Sequence, residues 1–430
     1  MSLLVGPMQQ HLNGHKDLTD HADVVEISPD KQVLIPLVCY GSMELEVLVK
    51  ENDKVKVGTK IAVRNDKMII PIFSSVSGTV VKVVKNMHDM LRPVDHLVID
   101  NDFQYELDDA IKPLDPEKAS VEELIDFMMN AGIVGCGGAG FPAYIKYKFA
   151  KDVDTILINA VECEPYITAD YRNLIENLDK MIIGSLAMKK MAQAKEVVIA
   201  IKESKKDLIA LVNKAITEHK GMRVALVPDV YPMGWERTVI YQVFKKRYER
   251  LPGEVGIVVN NSTTAISFAD ALLEGRPIVE KLVTVSGDAI KSPANVRVRV
   301  GTPVSQVIEA LGGYTADEVS VIAGGPMMGK TMPNDTYVIT PSTNAITVLK
   351  PVKYPSIACL RCGRCSDTCP AAIQPVRINE YEKARDVETL VKLSAMDCIE
   401  CGMCTYVCPS RLEVTEGVRR AKRLIMAKKK

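Results

Sequence analysis

Two stretches near the carboxyl end, CLRCGRCSDTCP (residues 359–370) and CIECGMCTYVCP (residues 398–409), decide the fold of that part of the chain. Each reads C-x2-C-x2-C-x3-C-P, so three thiols recur at three-residue steps and a fourth follows just before a proline. Together they hold eight of the 11 cysteines of the chain. Clustered thiols in a long chain indicate metal binding, because disulfide frameworks are typical of short secreted domains.

The same spacing in bacterial ferredoxins holds two [4Fe–4S] clusters, and each run lends its fourth cysteine to the other cluster. We therefore predict two ligand sets. They are Cys359, Cys362, Cys365 and Cys408 for one cluster, and Cys398, Cys401, Cys404 and Cys369 for the other. A pair of zinc sites is the alternative, but zinc ribbons need neither the third step nor the C-P ending. Two neighbouring clusters carry single electrons, so the sequence predicts an electron-transfer protein.

The bulk composition is that of an ordinary globular protein. The chain has 430 residues, which favours about three domains. A formal net charge of zero argues against nucleic acid as a main partner, because nucleic-acid binding leaves a basic footprint. We find no apolar run near the length of about 18 residues that spans a bilayer, and no signal peptide. A cytoplasmic location is the expectation.

Residues 31–100 carry β-branched residues in short runs separated by turn residues, which predicts strands. The segment from Val49 to Val84 is similar to the lipoyl and biotinyl carrier fold, a small barrel-like sandwich. Lys67 falls near the position of the carrier lysine. It is either an exposed turn residue or a site of covalent modification, and the first interpretation is favoured because the flanking residues match neither carrier signature well.

The stretch GCGGAGFPAYIKYK (residues 135–148) fits the pattern G-x-G-x-x-G. A dinucleotide-binding Rossmann loop needs a strand before its glycines. Here residues 115–134 predict a helix instead, with a capping box formed by Ser120 and Glu123 and an apolar face behind it. The stretch is therefore a glycine-rich loop of another kind.

After this loop, strands and helices alternate up to about residue 275, which predicts a parallel sheet with helices on both faces. Ligands of such sheets bind at the carboxyl ends of the strands. Polar residues at these predicted ends are the candidate binding residues. They are Asn159, Glu162, Glu164, Tyr231, Gly234, Glu236, Asn260, Asn261 and Thr264. A small β-grasp unit, then a cluster domain from about Lys353, complete the chain.

Four motifs carry a resemblance to a known family: GCGGAGFPAYIK, NAVECEP, YPMGWER and VVNNSTT. They look like the flavin- and NADH-binding subunit of respiratory complex I, and still more like its relatives of the RnfC family. The β-grasp segment, GGPMMG (residues 324–329) and the double cysteine run match that family in the same order. The resemblance implies a multidomain α/β protein in four parts. They are a barrel-sandwich domain (1–110), a Rossmann-like FMN/NADH domain (111–277), an SLBB β-grasp domain (278–350) and a ferredoxin-like 2[4Fe–4S] helical domain (351–430).

The resemblance also implies roles for individual residues, with FMN as cofactor and NADH as substrate. The glycines Gly135, Gly137, Gly138 and Gly140 would let the backbone approach the flavin closely. Lys146 would neutralise the FMN phosphate, and Phe141 would stack on the nicotinamide or adenine. The amides and hydroxyl that would bond the flavin are Asn159, Asn260, Asn261 and Thr264. The residues that would bind NADH or shape the electrostatics of the flavin are Glu162, Glu164, Tyr231 and Glu236, with Glu164 as a candidate catalytic residue.

Cys136 stands in the glycine loop where the family usually has an apolar or basic residue. A thiol there suggests a redox role with Cys163 as its partner, and we include Cys136 among the candidate catalytic residues. The alternative is a small buried side chain, since free cysteine packs well. The basic tail RRAKRLIMAKKK (residues 419–430) is either a solvated helix terminus, which is favoured, or a contact for acidic lipid or an acidic partner.

Departures at both ends of the chain decide which relative to expect. The short proline-containing segment and the long Ala/Lys-rich tail of many RnfC chains have no counterpart here. These shortened ends, together with Cys136, favour a soluble electron donor like PrdC, which would pass electrons from NADH through FMN and the clusters to proline reductase. The alternative is the peripheral RnfC subunit of the membrane Rnf complex, with Rnf subunits and ferredoxin as partners at the inner face of the membrane. A cluster-bearing adaptor without NADH binding is a further alternative.

Overall fold

A computed structural model describes residues 12–352 and 354–428. Residues 1–11, in the region where we expect no signal peptide, and the last two lysines of the basic tail lie outside the described residues. The first strand is β1 (Val25–Ile27). It pairs in parallel with a strand of the β-grasp domain more than 250 residues later, through Val25 opposite Val296. This strand therefore completes a sheet outside the barrel-sandwich unit in which the sequence prediction places it.

Residues 32–101 form the expected barrel sandwich. Its strands are β2 (Gln32–Pro36), β3 (Glu46–Val47), β4 (Lys54–Val55), β5 (Lys60–Asn65), β6 (Ile69–Phe73), β7 (Gly78–His88) and β8 (Arg92–Asn101). They make one sheet in the order β2-β8-β7-β4 and a second in the order β3-β5-β6. Alternate residues such as Ile35, Ile61 and Ile99 point into a shared core, which is the period-two pattern of half-buried strands. Lys67 is exposed in the turn between β5 and β6.

The next domain is a parallel sheet wrapped by helices. Its elements are α1 (Val121–Asn130), α2 (Tyr144–Lys148), β9 (Thr155–Ala160), α3 (Ala169–Glu176), α4 (Leu178–Met191), β10 (Glu196–Lys202), α5 (Lys206–Ala215), β11 (Met222–Val227), α6 (Glu236–Phe244), β12 (Ile257–Asn261) and α7 (Ser262–Glu274). The strand order is β11-β10-β9-β12, with all pairs parallel. On β9, Ile156 faces a core shared with α4 and α7, and Leu157 faces a core shared with α6. Helices therefore cover both faces, as predicted.

Residues 173–195, within the predicted alternation of strands and helices, form two helices because the structure breaks the helix at Asn177. This residue leaves the helical conformation, with φ −127° and ψ 38°, and separates α3 from α4. Its Nδ2 donates to the Asn173 carbonyl at 3.2 Å and to Asn173 Oδ1 at 2.9 Å. Asparagine side chains compete with the helical backbone in this way, which is why the break occurs at this residue.

The β-grasp domain has a six-stranded sheet in the order β1-β14-β13-β17-β15-β16. Its elements are β13 (Glu280–Ser286), β14 (Ala294–Arg299), α8 (Val304–Ala310), β15 (Ser320–Ala323), β16 (Lys330–Thr331) and β17 (Ala345–Leu349). Val304 and Val307 of α8 pack on Val283, Val296 and Val348 of the sheet. The GGPMMG segment follows β15 and lies against the parallel-sheet domain, because a methyl group on Gly325 would meet Glu164 Cγ at 2.2 Å.

Four short helices and one longer helix surround the two cysteine runs. They are α9 (Arg364–Asp367), α10 (Pro375–Lys383), α11 (Val387–Lys392), α12 (Met403–Tyr406) and α13 (Val414–Lys428). The basic helix α13 buries Val418 and Ile425 in the core of this domain, and its Arg420 pairs with Glu382 at 3.0 Å. Within the described ranges, no helix combines the length and the apolar character that crossing a membrane requires.

Gly184 provides a test of the close packing between α4 and α7. A Cβ atom at this position would lie 2.0 Å from the Ala265 carbonyl oxygen. Glycine to alanine normally stabilises a helix by about 1 kcal/mol. We expect Gly184→Ala to lower the free energy of unfolding by about 1–3 kcal/mol instead, because the added methyl group overpacks the contact.

Thermal unfolding followed by circular dichroism measures this effect. Gly253→Ala is the matched control, since a Cβ there would meet no atom within 4 Å. A Gly184→Ala protein that melts above the wild type would contradict the packing described here.

Candidate functional site

The parallel sheet has a topological switch point between β9 and β12. From β9 the chain moves to β10 on one side, and β12 returns to pair with β9 on the other side. Open α/β sheets bind ligands in the crevice outside the carboxyl ends of the strands at such a point. Asn159 near the end of β9, and Asn260 and Asn261 at the end of β12, lie there. The switch point therefore locates the candidate site at three of the residues that the sequence singles out.

The glycine-rich loop forms a closed turn over this crevice. The Gly135 amide donates to the Phe141 carbonyl at 2.8 Å, and the Gly140 amide donates to the Gly135 carbonyl at 3.2 Å. Gly138 has φ +110°, a conformation that side chains disfavour. A Cβ on Gly138 would meet no atom within 4 Å, so backbone here faces open space. A loop of this kind can bring its backbone close to a planar ligand.

Asn261 joins the loop to the sheet. Its Oδ1 caps α7 by accepting from the amides of Thr263 at 2.9 Å and Thr264 at 3.3 Å. Its Nδ2 donates to the Asp170 carboxylate at 2.6 Å. A Cβ on Gly137 would lie 3.5 Å from the Asn261 Cβ, so loop and cap are in contact. The Asn261 side chain is therefore engaged in holding the site together.

Two neighbours of this cap complete the anchoring of the loop. Thr264 Oγ1 accepts from the Cys136 amide at 3.0 Å. Asn260 Nδ2 donates to the hydroxyl of Tyr147 at 2.7 Å, and Asn260 Oδ1 is buried with no hydrogen-bond donor among the described residues. That oxygen is an acceptor that a ligand with a donor group would satisfy, because buried polar atoms are rarely left unpaired.

Lys146 supplies the positive charge of the site. Its Nζ donates to the Val259 carbonyl at 2.6 Å, near the end of β12. Burial lowers the pKa of this lysine, and the charge of Glu236 acts in the opposite direction. Lys146 is half-buried, and an ammonium shielded from water in this way is costly without a nearby anion, so this position suits a negatively charged group of a ligand.

The predicted acids Glu162 and Glu164 each accept hydrogen bonds from main-chain amides through Oε1, whereas Glu164 Oε2 is buried with no hydrogen-bond partner among the described residues. Glu162 Oε1 accepts from the Asp170 amide at 2.8 Å. Glu164 Oε1 accepts from the amides of Met327 at 2.7 Å and Met328 at 3.0 Å. Burial raises the pKa of Glu164, and these two amides oppose the rise. Glu164 therefore contacts the GGPMMG segment of the β-grasp domain.

Three further candidates also have protein partners. Asn159 Nδ2 donates to the Gly234 carbonyl at 2.8 Å, and Glu236 Oε1 accepts from the Tyr248 hydroxyl at 2.8 Å. The Tyr231 hydroxyl donates to the Cys401 carbonyl at 2.7 Å. Tyr231 therefore connects the parallel-sheet domain to the cluster domain.

The expected thiol pair of Cys136 and Cys163 is not assembled. Cys136 is 0% exposed, and its Sγ lies 3.5 Å from the Val134 carbonyl oxygen and 3.8 Å from Ser267 Oγ. Cys163 packs with the core on the other face of the sheet and accepts from the Gly234 amide at 3.2 Å. The Cys136 side chain points into the core and away from the open side of the loop. It is therefore placed as the small buried side chain that was the alternative to a redox role.

The second cysteine run encloses a cavity. Four thiols line it, and they come from both runs: Cys369, Cys398, Cys401 and Cys404. This is the crossed ligand set that the ferredoxin spacing predicts. Burial raises the pKa of Cys401 and of Cys404 to about 12. Thiols in such a site bind metal as thiolates, so the irons of a bound cluster would stabilise the negative charge of Cys401 and Cys404.

The first ligand set lies nearer the surface. Cys359 and Cys362 are exposed, whereas Cys365 and Cys408 are half-buried. Ser410 Oγ donates to the Ala358 carbonyl at 3.0 Å, which holds the start of the first run beside the end of the second. Across residues 12–352 and 354–428, no three His, Cys, Asp or Glu side chains come close enough to bind a single metal ion.

Several residues beside the loop carry no sequence motif. Tyr40 of the barrel sandwich stands edge-on to Phe141, with 5.3 Å between ring centroids. A Cβ on Gly140 would lie 3.8 Å from Ser342 Cβ of the β-grasp domain. Lys16 lies 3.8 Å from Glu162. Tyr147, which bonds Asn260, differs from these residues because it lies within the glycine-loop motif, next to Lys146.

Four family models match the chain in the predicted order. They are the RnfC barrel sandwich hybrid domain (residues 9–104), the Nuo51 FMN-binding domain (128–270), the SLBB domain (282–331) and the 4Fe-4S dicluster domain (358–412). These matches confirm the four-part architecture, and with it FMN and [4Fe–4S] clusters as the cofactors. The exact boundaries between the four parts stay predictions.

Curated relatives are similar over most of the chain, and each is the C component of a multi-subunit complex. The sequence is 34% identical over 363 residues to that component of the Na+-translocating ferredoxin:NAD+ oxidoreductase complex of Acetobacterium woodii, covering 82% of each chain. It is 34% identical over 397 residues to that of the ion-translocating oxidoreductase complex of Rhodobacter capsulatus, covering 89% of this chain and 76% of the relative. The counterpart in the proton-translocating ferredoxin:NAD+ oxidoreductase complex of Clostridium ljungdahlii is also 34% identical, over 82% of this chain and 79% of the relative.

Among solved structures, the NAD+-reducing [NiFe]-hydrogenase in the air-oxidised state shares the fold, with a TM-score of 0.50 and 19% identity. That match covers 72% of this chain and 63% of the hydrogenase chain. The curated relatives match at 34% identity over more than four-fifths of this chain, which establishes family membership as well as a shared fold. With its four domains in order and its relatives among these complexes, this chain belongs to the RnfC family of electron-transfer subunits.

Proposed function

We propose that the chain is the NADH-oxidising, or NAD+-reducing, subunit of an Rnf-type complex. Electrons would pass between NADH, FMN and two [4Fe–4S] clusters and then to partner Rnf subunits and ferredoxin. The relatives named above belong to such complexes, which favours this alternative over a donor to proline reductase. A position peripheral to the inner face of the membrane follows from the same proposal.

The observation that carries the proposal is the open glycine cradle at the switch point. Gly138 leaves the space above it free, and Asn260 Oδ1 offers a buried acceptor at the end of β12. Lys146 adds a half-buried amine that donates to the Val259 carbonyl of the same strand. The open space suits a planar ring, the Asn260 oxygen suits a donor group on that ring, and Lys146 suits a phosphate. FMN has all three groups, so the residues fit FMN.

Bound FMN would accept two electrons as a hydride from NADH and release them singly. The protein residues hold and orient the reactants. In this proposal Lys146 pairs with the phosphate, Asn260 bonds the flavin, and Phe141 with Tyr40 forms an aromatic surface for NADH. Closure of the loop by the Gly135–Phe141 hydrogen bond keeps these groups in place.

The contact between domains suggests the order of the clusters. The cavity of the second run adjoins the parallel-sheet domain, because Tyr231 is buried against Cys401 and Met403. The first run has exposed thiols at Cys359 and Cys362. We infer that the buried cluster exchanges electrons with the flavin, and that the exposed one faces a partner protein.

An anaerobic NADH titration of the reconstituted protein, followed by absorbance and EPR, tests the proposal. We expect the flavin band to bleach and reduced-cluster signals to appear. Clusters that are reduced by dithionite but not by NADH, in a protein that retains no flavin, would instead identify a cluster-bearing adaptor.

Gly138→Ala tests the cradle itself. A methyl group would occupy the space reserved for the flavin, so we expect FMN to bind at least about tenfold more weakly. Fluorescence quenching of added FMN measures the affinity. Gly313→Ala is the matched control, because Gly313 also has positive φ and no atom within 4 Å of a Cβ, but lies in the β-grasp domain. Equal FMN affinities in the two variants would refute the cradle.

Cys401→Ser tests the assignment of Cys401 as a cluster ligand. Loss of one thiolate should remove one cluster and lower the iron content from about eight to about four atoms per chain, because each cluster holds four irons. Iron and sulfide analysis with EPR measures the change. Cys39→Ser, outside both runs, should keep the full content. An unchanged iron content in Cys401→Ser would contradict the assignment.

A further inference from the structure

Residues 12–24, which we call the N-terminal strap, lie across the carboxyl end of β9 and the start of α3. The Tyr166 amide donates to the Gly14 carbonyl at 2.7 Å. Thr19 Oγ1 is 2.7 Å from Thr168 Oγ1, and both residues are 0% exposed. None of the sequence motifs includes this segment, yet in the structure it packs against residues 164–168, which follow β9.

Lys16 is the charged residue that the strap inserts. Its Nζ donates to the Glu164 carbonyl at 3.1 Å and also to the Ile167 carbonyl. The same atom lies 3.8 Å from Glu162 Oε2. The side chains of Lys16 and Glu162 are 12% and 9% exposed, so this ion pair is largely shielded from water.

A chain of hydrogen bonds leads from this pair to the glycine loop. Glu162 Oε1 accepts from the Asp170 amide at 2.8 Å, in the first turn of α3. The Asp170 carboxylate accepts from Asn261 Nδ2 at 2.6 Å and from Thr263 Oγ1 at 2.7 Å. Asn261 in turn contacts Gly137. The position and charge of Glu162 are therefore coupled to the place where the flavin would bind.

We propose that Lys16 is a positioning residue of the flavin site. Its ammonium favours the ionised form of the Glu162 carboxylate and holds it in place beyond the end of β9, and that charge tunes the redox potential of bound FMN. The N-terminal strap thus contributes to the electrostatics of the flavin site through Lys16. This inference rests on the function proposed above.

The charges around Glu162 fix the sign of the effect. Burial raises the pKa of Glu162 and lowers the pKa of Lys16, and each charge opposes the shift of the other. Asp170 from α3 adds to the rise at Glu162, and Lys202 from β10 opposes it. The Glu162 carboxyl group therefore ionises at a higher pH than an ordinary glutamate does. Without Lys16 the pKa of Glu162 rises further, so ionisation moves to higher pH by about one unit or more.

The test is the midpoint potential of bound FMN measured against pH by spectroelectrochemistry in the full-length holoprotein. We expect the wild-type plot to change slope near the pH at which Glu162 ionises. Lys16→Met should move that change of slope upward by about one pH unit or more. Lys16→Arg should restore it, and Glu162→Gln should abolish it.

Lys205→Met is the matched control. It removes the 3.2 Å ion pair between Lys205 and Asp20 of the strap but leaves the contact with Glu162. Its profile should follow the wild type. If Lys16→Met retains FMN and its profile coincides with the wild type, or if Glu162→Gln keeps the change of slope, the inference is wrong. A wild-type protein that binds no FMN would overturn the proposed function itself, so the two failures are distinguishable.

Discussion

The site depends on one side chain, the amide of Asn261, which makes three hydrogen bonds at the end of β12. Its oxygen caps α7, and its nitrogen binds Asp170. An N-cap of this kind stabilises a helix by about 0.5–2 kcal/mol. Here it also fixes the start of α7 against the glycine loop, since Thr264 of the capped turn accepts from the Cys136 amide. Loop, sheet and helix thereby meet at one point.

Polar groups placed at this point are only partly satisfied by the protein. Lys146 has one main-chain carbonyl as its hydrogen-bond acceptor, and Asn260 Oδ1 has no donor among the described residues. Glu162 and Glu164 are bound through Oε1 by α3 and by the GGPMMG segment, and Lys16 of the N-terminal strap lies near Glu162. Glu164 Oε2, like Asn260 Oδ1, is buried with no hydrogen-bond donor among the described residues. Lys146 and Asn260 are left for the ligand, while one oxygen of each carboxylate joins neighbouring segments. This division suits an anionic cofactor better than a set of free acids would.

Contacts between domains decide how the cofactor sites are joined. Tyr231 donates to the Cys401 carbonyl, and a Cβ on Gly402 would lie 2.6 Å from the Met327 carbonyl oxygen. The cluster domain therefore packs tightly on both the parallel-sheet and the β-grasp domains. Close packing of this kind allows no side chain at Gly402 without displacement of backbone, so the relative placement of cluster and flavin site is fixed by main-chain contact.

Local rules in the sequence determined much of this protein. The thiol spacing predicts two clusters, and Cys369 does line the cavity with Cys401 because the motif itself encodes the exchange. The capping box at Ser120 excludes a Rossmann loop, and alternating strands and helices give the parallel sheet. Tertiary structure alone decided the rest. Lys16 contacts residues about 150 positions away, β1 pairs with β14 at the edge of the β-grasp sheet, and the Cys136 thiol points into the core. Such contacts follow from how domains pack, and packing between segments distant in sequence leaves no periodic trace in the amino-acid order.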